Sequence, residues 1–325
     1  MPVLKTIQFS ASGGTPPYSY TVFSGGGSIS GAVYTAPNTI GNAVVSAKDS
    51  AGTQIAALIT IVTDANCPAN YIPVTANSAV GTSADFCISK YEMKCNNDTT
   101  GAACTGSPVS MAANRPWVNV TQPNAKSLCA GLGTQYHLVT NPEWMTIARS
   151  IEATAANWSS GTVSSGALNR GHSDNSPANT LSAGTDDLPC SGTGDTCSTT
   201  VFHDQRRTHV LANGQTIWDF AGNVKELIDW IVTTNRAGAQ SAAYEEINSP
   251  APTAAMPADT FKSNDTNLLE ANGIGAYWRD VQGSNGYAAR GGYLTNGTRS
   301  GVYHLDFEPS STYTNALVGF RCAYQ

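Results

Sequence analysis

The chain has 325 residues, a formal net charge of −6, 12% charged residues and 31 glycines. That length holds two or three domains with a sizeable core, while the acidic balance offers no basic face for nucleic acid. No apolar run reaches membrane-spanning length, so no membrane insertion is expected.

The first five residues, Met1 to Lys5, lack the apolar core of a signal peptide. Either a leader was removed or the protein leaves the cell by another route, such as on a virion. Residues 1–65 contain no cysteine, whereas all eight cysteines follow Asp64. This step in composition sets a domain boundary near residues 64–67. Four short strands are expected before it: Thr6–Phe9, Tyr18–Phe23, Ala43–Ala47 and Ala56–Val62. Gly13-Gly14-Thr15-Pro16-Pro17, Gly25-Gly26-Gly27 and Asp49–Gly52 separate them as turns. Short strands between Gly/Pro turns predict a small antiparallel sandwich.

Beyond the boundary, Cys67–Val74 and Asp85–Lys94 read as a β-hairpin. Cys95 and Cys104 flank an Asn/Asp/Thr/Gly loop that they can close. No CxxC pair occurs, which argues against zinc. Eight cysteines then read as a disulfide framework in an oxidising compartment, with buried free thiols as the alternative. Two helices follow. Thr121 caps the first ahead of Pro123, and Ala125, Leu128, Cys129 and Leu132 share one face. Thr140 and Glu143 form a capping box for the second, whose buried stripe is Trp144, Ile147, Ala148 and Ile151. Residues 155–215 are rich in Ser, Gly, Asn and Asp, with Cys190 and Cys197 placed to close a loop. A stretch this long and weakly patterned is either functional or disordered.

The C-terminal segment, about 271–325, combines two residue classes. Gly291, Gly292, Gly297, Gly301, Leu305, Gly319, Phe320 and Cys322 form a frame of turns and packing positions. Among them stand side chains suited to contact, Tyr293, Arg299, Tyr303, His304, Asp306, Glu308 and Tyr313.

Several motifs occur in a fixed order. They are Tyr71–Val74, FCISKYEMK at Phe86–Lys94, PWVNV at Pro116–Val120 and LVTNPEWMTIAR at Leu138–Arg149. WDFAGNVKELIDW at Trp218–Trp230, RGGY at Arg290–Tyr293 and VGFRC at Val318–Cys322 complete the set. Together they resemble the formylglycine-generating-enzyme (sulfatase-modifying factor) domain, a variant of the C-type lectin fold. In residues 1–65, SASGGTPPYSYTV at Ser10–Val22, YTAP at Tyr34–Pro37 and AKDSAG at Ala47–Gly52 resemble bacterial immunoglobulin-like repeats. The expected architecture is therefore an N-terminal all-β immunoglobulin-like sandwich at residues 1–65, which would act as a spacer. An α+β C-type lectin fold at residues 66–325 follows, with two helices and long loops.

The resemblance implies a bridge between the first helix and the last strand, Cys129 to Cys322, with local bridges Cys67–Cys87, Cys95–Cys104 and Cys190–Cys197. It also implies a calcium loop, in which Asp219 and Glu226 would supply carboxylates and Gly222 and Val224 backbone carbonyls. That calcium would be structural, and no cofactor is otherwise required. The family's enzymes carry a reactive cysteine pair shortly after RGG, yet Tyr293–Glu308 holds no cysteine. The five histidines, His137, His172, His203, His209 and His304, lack paired ligand spacing. There is no GxSxG elbow and no P-loop, and the adjacent acids Asp186-Asp187 and Glu245-Glu246 read as solvated. No enzyme activity is expected.

A subset of this fold family, the variable proteins of diversity-generating retroelements, rewrites a C-terminal segment ending near GFRC, and the present segment is similar to theirs. The fixed frame would be RGG, Asn296-Gly297, Ser300–Val302 and VGFRC. The substituted ligand-binding positions would be Tyr293, Leu294, Thr295, Thr298, Arg299, Tyr303, His304, Asp306, Glu308, Tyr313, Asn315 and Leu317. Trp278, Arg279, Asp280 and Tyr287 would join the same surface. Leu305 and Phe307 point inward, Leu294, Leu317 and Tyr313 are open to either reading, and about two thirds of the named positions should be exposed together. The expected function is non-enzymatic recognition of a protein or glycan ligand, displayed on a cell surface or a virion. The alternatives are a structural filament subunit that uses this face for assembly and a divergent oxidase of the formylglycine-generating type.

Overall fold

The computed structural model describes residues 6–37, 41–61, 67–233, 243–250, 257–279, 285–308 and 310–325. Contacts divide the chain into two compact units, Met1–Asn66 and Cys67–Gln325.

The first unit has six strands: β1 Thr6–Gln8, β2 Ser19–Ser24, β3 Ser28–Ser30, β4 Val33–Thr35, β5 Gly41–Lys48 and β6 Gln54–Ile61. They form two antiparallel sheets, β1-β4-β3 and β2-β5-β6, around Tyr34, Val45, Ile59 and Ile61. Sequence pattern finds four of these strands. The two it misses, β3 and β4, are three residues each and separated only by Gly31-Ala32. The Asp49 carboxylate accepts from the backbone N–H of Thr15 (3.0 Å) and Thr53 (2.7 Å), which pins the turn between β5 and β6 to the loop before β2.

The second unit opens with β7 Tyr71–Val74, β8 Phe86–Ser89, β9 Met93–Cys95 and β10 Pro108–Ser110. Helix α1, Gln122–Ala130, starts at Thr121, whose side chain accepts from Asn124 N–H. Of its apolar face, Ala125 and Cys129 are buried and Leu128 and Leu132 half-buried. After β11, Tyr136–Leu138, helix α2 spans Asn141–Glu152. Its capping box is complete: Glu143 accepts from Thr140 N–H at 2.8 Å, and Thr140 Oγ1 accepts from Glu143 N–H at 3.4 Å. The helix is held because its stripe is sequestered, Trp144, Ile147, Ala148 and Ile151 all being fully buried.

The remaining strands are β12 Thr208–Val210, β13 Thr216–Trp218, β14 Lys225–Thr233, β15 Glu245–Glu246, β16 Ala276–Arg279, β17 Asn285–Arg290, β18 Leu305–Glu308, β19 Val318–Phe320 and β20 Cys322–Tyr324. β7 and β8 pair antiparallel, and β20 inserts between β8 and β11, so the last strand closes the sheet that the first begins. A mixed six-stranded sheet runs β15-β16-β18-β17-β14-β19. Alternation along its strands separates two faces. Ile228, Ala288, Leu305 and Phe307 face the main core with α2. Leu227, Ala289, Val318 and Phe320 face the other way, toward Trp117 and Cys129.

Four disulfides are present: Cys67–Cys87, Cys95–Cys104, Cys129–Cys322 and Cys190–Cys197. Residues 155–215 follow an ordered path organised by buried Arg207. Its guanidinium donates to the carbonyls of Leu181, Ser182 and Ser191 and pairs with Asp219. Among the described residues, no helix is long and apolar enough to cross a membrane.

Candidate recognition site

The frame of the C-terminal segment is set by side chains of distant elements. Arg290 is fully buried and donates to Asn141 Oδ1 (2.6 Å), the Thr260 carbonyl (2.7 Å) and the Tyr303 carbonyl (3.1 Å). Trp144 Nε1 donates to the Val302 carbonyl at 2.8 Å. Gly291 has φ +87°, and a Cβ there would lie 3.1 Å from the Phe220 carbonyl oxygen. At Gly301 a Cβ would meet the Ile274 carbonyl carbon at 2.3 Å, so only glycine fits. Arg321 closes the frame: it forks onto Glu226, with contacts of 2.8 and 2.9 Å, and donates to the Ser89 and Trp218 carbonyls.

The sheet face turned away from the main core carries the candidate site. Register places Trp278 beside Asp306, Asp306 beside Ala289, and Glu308 beside Tyr287. Lys225 lies two residues before Leu227, which pairs with Ala289, so it shares that face. Because Ala289 is small, the long Lys225 side chain reaches across β17. Its Nζ stands 2.9 Å from Asp306 Oδ2 and also contacts Glu308. Over this ammonium lie the half-exposed rings of Tyr293 and Tyr313, with centroids 5.4 and 5.7 Å away. Tyr244 packs on Trp278 and His304, and the Arg299 guanidinium stacks 4.8 Å over the Tyr244 ring.

Burial opposes the charge on Lys225, but Asp306 and Glu308 outweigh it and raise the ammonium well above its ordinary value. Burial likewise works to raise Asp306, yet Lys225 and then His304 hold its carboxyl well below the usual range. Desolvation pushes the Tyr244 and Tyr313 phenols up.

The sequence-predicted positions divide three ways. Thr295, Thr298, Arg299 and Asn315 are exposed, and Tyr293, Tyr313, Leu317, Trp278 and Tyr287 are half-buried. Leu294, Tyr303, His304, Asp306 and Glu308 are buried, which corrects the expectation that they meet a ligand directly. Tyr303 alternates with Leu305 and Phe307 into the main core and donates its hydroxyl to Glu152. His304 Nδ1 donates to the Arg299 carbonyl (2.7 Å), and its Nε2 stands 3.1 Å from Asp306 Oδ1. Leu294 is drawn in by backbone bonds to Asn175 and Asn223. Asp306 and Glu308 are drawn in by Lys225. The Arg279 side chain and Asp280 lie outside the described residues. Sequence reading missed Lys225 and Tyr244. Lys225 sits inside a recognisable motif but bears no local mark of its long-range partners, and Tyr244 stands in a weakly patterned stretch.

The expected calcium set fails a test of fit. Asp219 is engaged bidentately by Arg207, with Nε–Oδ1 2.7 Å and Nη2–Oδ2 2.6 Å, and Glu226 by Arg321. Two guanidinium groups already satisfy both carboxylates, so Asp219, Gly222, Val224 and Glu226 do not present a free oxygen cage. Among the described residues, no group of three or more His, Cys, Asp or Glu is placed to hold a metal ion. All eight cysteines are in disulfides, so no thiolate is on hand for nucleophilic or redox chemistry.

A family model described as the sulfatase-modifying factor enzyme 1-like domain matches residues 60–325. No curated protein matches the chain at a significant level. Similar solved structures include Treponema denticola variable protein 1, at 14% identity, 78% of this chain, 91% of that chain and a TM-score of 0.33. Major Tropism Determinant I1 variant is similar at 13% identity, with 81% and 54% coverage and a TM-score of 0.36. The P3c variant is similar at 14% identity, with 80% and 54% coverage and a TM-score of 0.33. The chain spans about half the length of these two determinants.

Proposed function

This chain belongs to the sulfatase-modifying factor enzyme 1-like family over residues 60–325, and from that premise we propose that it is a non-enzymatic recognition protein. Its C-terminal segment binds a protein or glycan on a target surface, and residues 1–65 act as an immunoglobulin-like spacer. The observation that carries this reading is the grouping of half-exposed Tyr293 and Tyr313 over Lys225 and of Arg299 and Trp278 around Tyr244, with Thr295, Thr298 and Asn315 exposed on the same C-terminal segment. Tyrosine, tryptophan and arginine give large contact area at low entropic cost, and such side chains bind best on a rigid scaffold. The family's thiol chemistry has no support here, since each cysteine is cross-linked. The four disulfides fit display outside the cell, on a cell surface or a virion. The segment's exposed positions would be the ones substituted if it is diversified.

Binding of labelled protein to a panel of cell types tests the reading. A variant combining Tyr293→Ala, Thr298→Ala and Arg299→Ala should lose at least about tenfold in affinity, the scale of one or more interface anchors, with its Tm close to wild type. Retained binding would place the site elsewhere.

A further inference from the structure

Lys225 is a scaffold residue of β14, and its charged end is almost wholly buried, its side chain being 9% exposed. It touches the C-terminal segment at four positions at once: Asp306 and Glu308 through ion pairs, Tyr293 and Tyr313 through their ring faces. The two carboxylates are themselves buried, at 2% and 8% side-chain exposure. A buried ammonium left without a carboxylate is strongly unfavourable, and so is a buried carboxylate pair left without a cation. The four positions are therefore not independent of one another.

We propose that Lys225 is the positioning residue of the recognition face, a single buried cation that fixes the two carboxylates beneath and holds the Tyr293 and Tyr313 rings above. This deepens the recognition reading and rests on it for its functional consequence. Lys225 restricts what the segment can carry. At least one of positions 306 and 308 must keep a carboxylate, and the face above presents two aromatic rings whose centroids lie 5.4 and 5.7 Å from the ammonium. Exposed Thr295, Thr298, Arg299 and Asn315 carry no such restriction, so variation in contact chemistry is concentrated there.

A substitution cycle tests the coupling. Asp306→Asn and Glu308→Gln are measured singly, together, and together with Lys225→Met, by thermal unfolding of the full chain. Each single variant leaves one carboxylate for Lys225. The double variant leaves none, so its loss in Tm should exceed the sum of the single losses by roughly 4 °C or more. Adding Lys225→Met removes the stranded charge and should recover most of that excess. The recovered triple variant should still show altered near-ultraviolet circular dichroism, because Tyr293 and Tyr313 lose the cation that orients them. Its cell binding should fall at least fivefold although no exposed side chain has changed. Additive losses, absence of recovery, or a triple variant with wild-type tyrosine spectrum and binding would each overturn the proposal. If the wild-type protein binds no cell, the recognition reading fails while the unfolding cycle still decides the role of Lys225.

Discussion

Tyr303 and Arg299 stand four residues apart and do opposite work. The Tyr303 hydroxyl donates to Glu152 in the main core, whereas Arg299 is exposed and stacks on Tyr244. Tyr303→Phe should lower stability by about 1–3 kcal/mol, the cost of leaving a buried carboxylate short of a partner, without changing cell binding. Arg299→Ala should do the reverse, and denaturant titration beside a binding assay separates them. Arg321 is the clearest structural residue. Arg321→Ala strands Glu226, which is fully buried, and should cost about 3–5 kcal/mol in urea unfolding. Residue types were legible in the sequence as contact-forming. Their orientation was not, and β18 explains why: on one strand Leu305 and Phe307 face the main core, while Asp306 and Glu308 face Lys225.

Helix α2 is the element best read from sequence, because both of its signals are local. The capping box needs only Thr140 and Glu143, and the stripe needs only a 3.6-residue period. Thr140→Ala should cost about 1 kcal/mol, with fraying visible as faster amide exchange in the first turn. In contrast, β3 and β4 are three-residue strands two residues apart, with no run of alternating apolar positions to mark them. The mixed order of the six-stranded sheet also escapes pattern, since β16 and β18 pair in parallel although β17 lies between them in the chain. Candidate site residues come from β16, β17, β18 and the loops around them, so that unread order decides which of them meet.

Across the whole molecule, long-range ties dominate. Cys129–Cys322 joins residues 193 apart, and replacing both with alanine should cost about 2–5 kcal/mol and lower Tm accordingly. Chelation should do nothing: with Asp219 and Glu226 held by Arg207 and Arg321, addition of EDTA is expected to leave Tm unchanged. Acid should act through His209, which burial pushes down to about 3. The unfolded chain takes up this proton near pH 6.5 while the folded chain resists it. The contribution is therefore complete above pH 6.5 and falls as pH drops, by up to about 1.4 kcal/mol per pH unit. His172 is lowered and has the same sign, while His137, raised first by its hydrogen bond to Glu143, has the opposite sign. Between pH 6.5 and 5, urea midpoints of wild type should fall more steeply than those of His209→Gln.

By itself the amino-acid sequence determined the features that neighbours in the chain can specify: two capped helices, the compositional step near residue 66, the turn glycines of the RGG motif, and an even set of cysteines whose pairing followed from family resemblance. Tertiary structure alone decided which side chains of the C-terminal segment face outward, and it paired the two carboxylates of the expected calcium set, Asp219 and Glu226, with Arg207 and Arg321. The physical reason is distance along the chain. Lys225 finds Asp306 across 81 residues, Arg321 finds Glu226 across 95 and the Ser89 carbonyl across 232. No local pattern records which buried charge will meet which, because that choice is made only when the sheet assembles and desolvation leaves each ion in need of a partner.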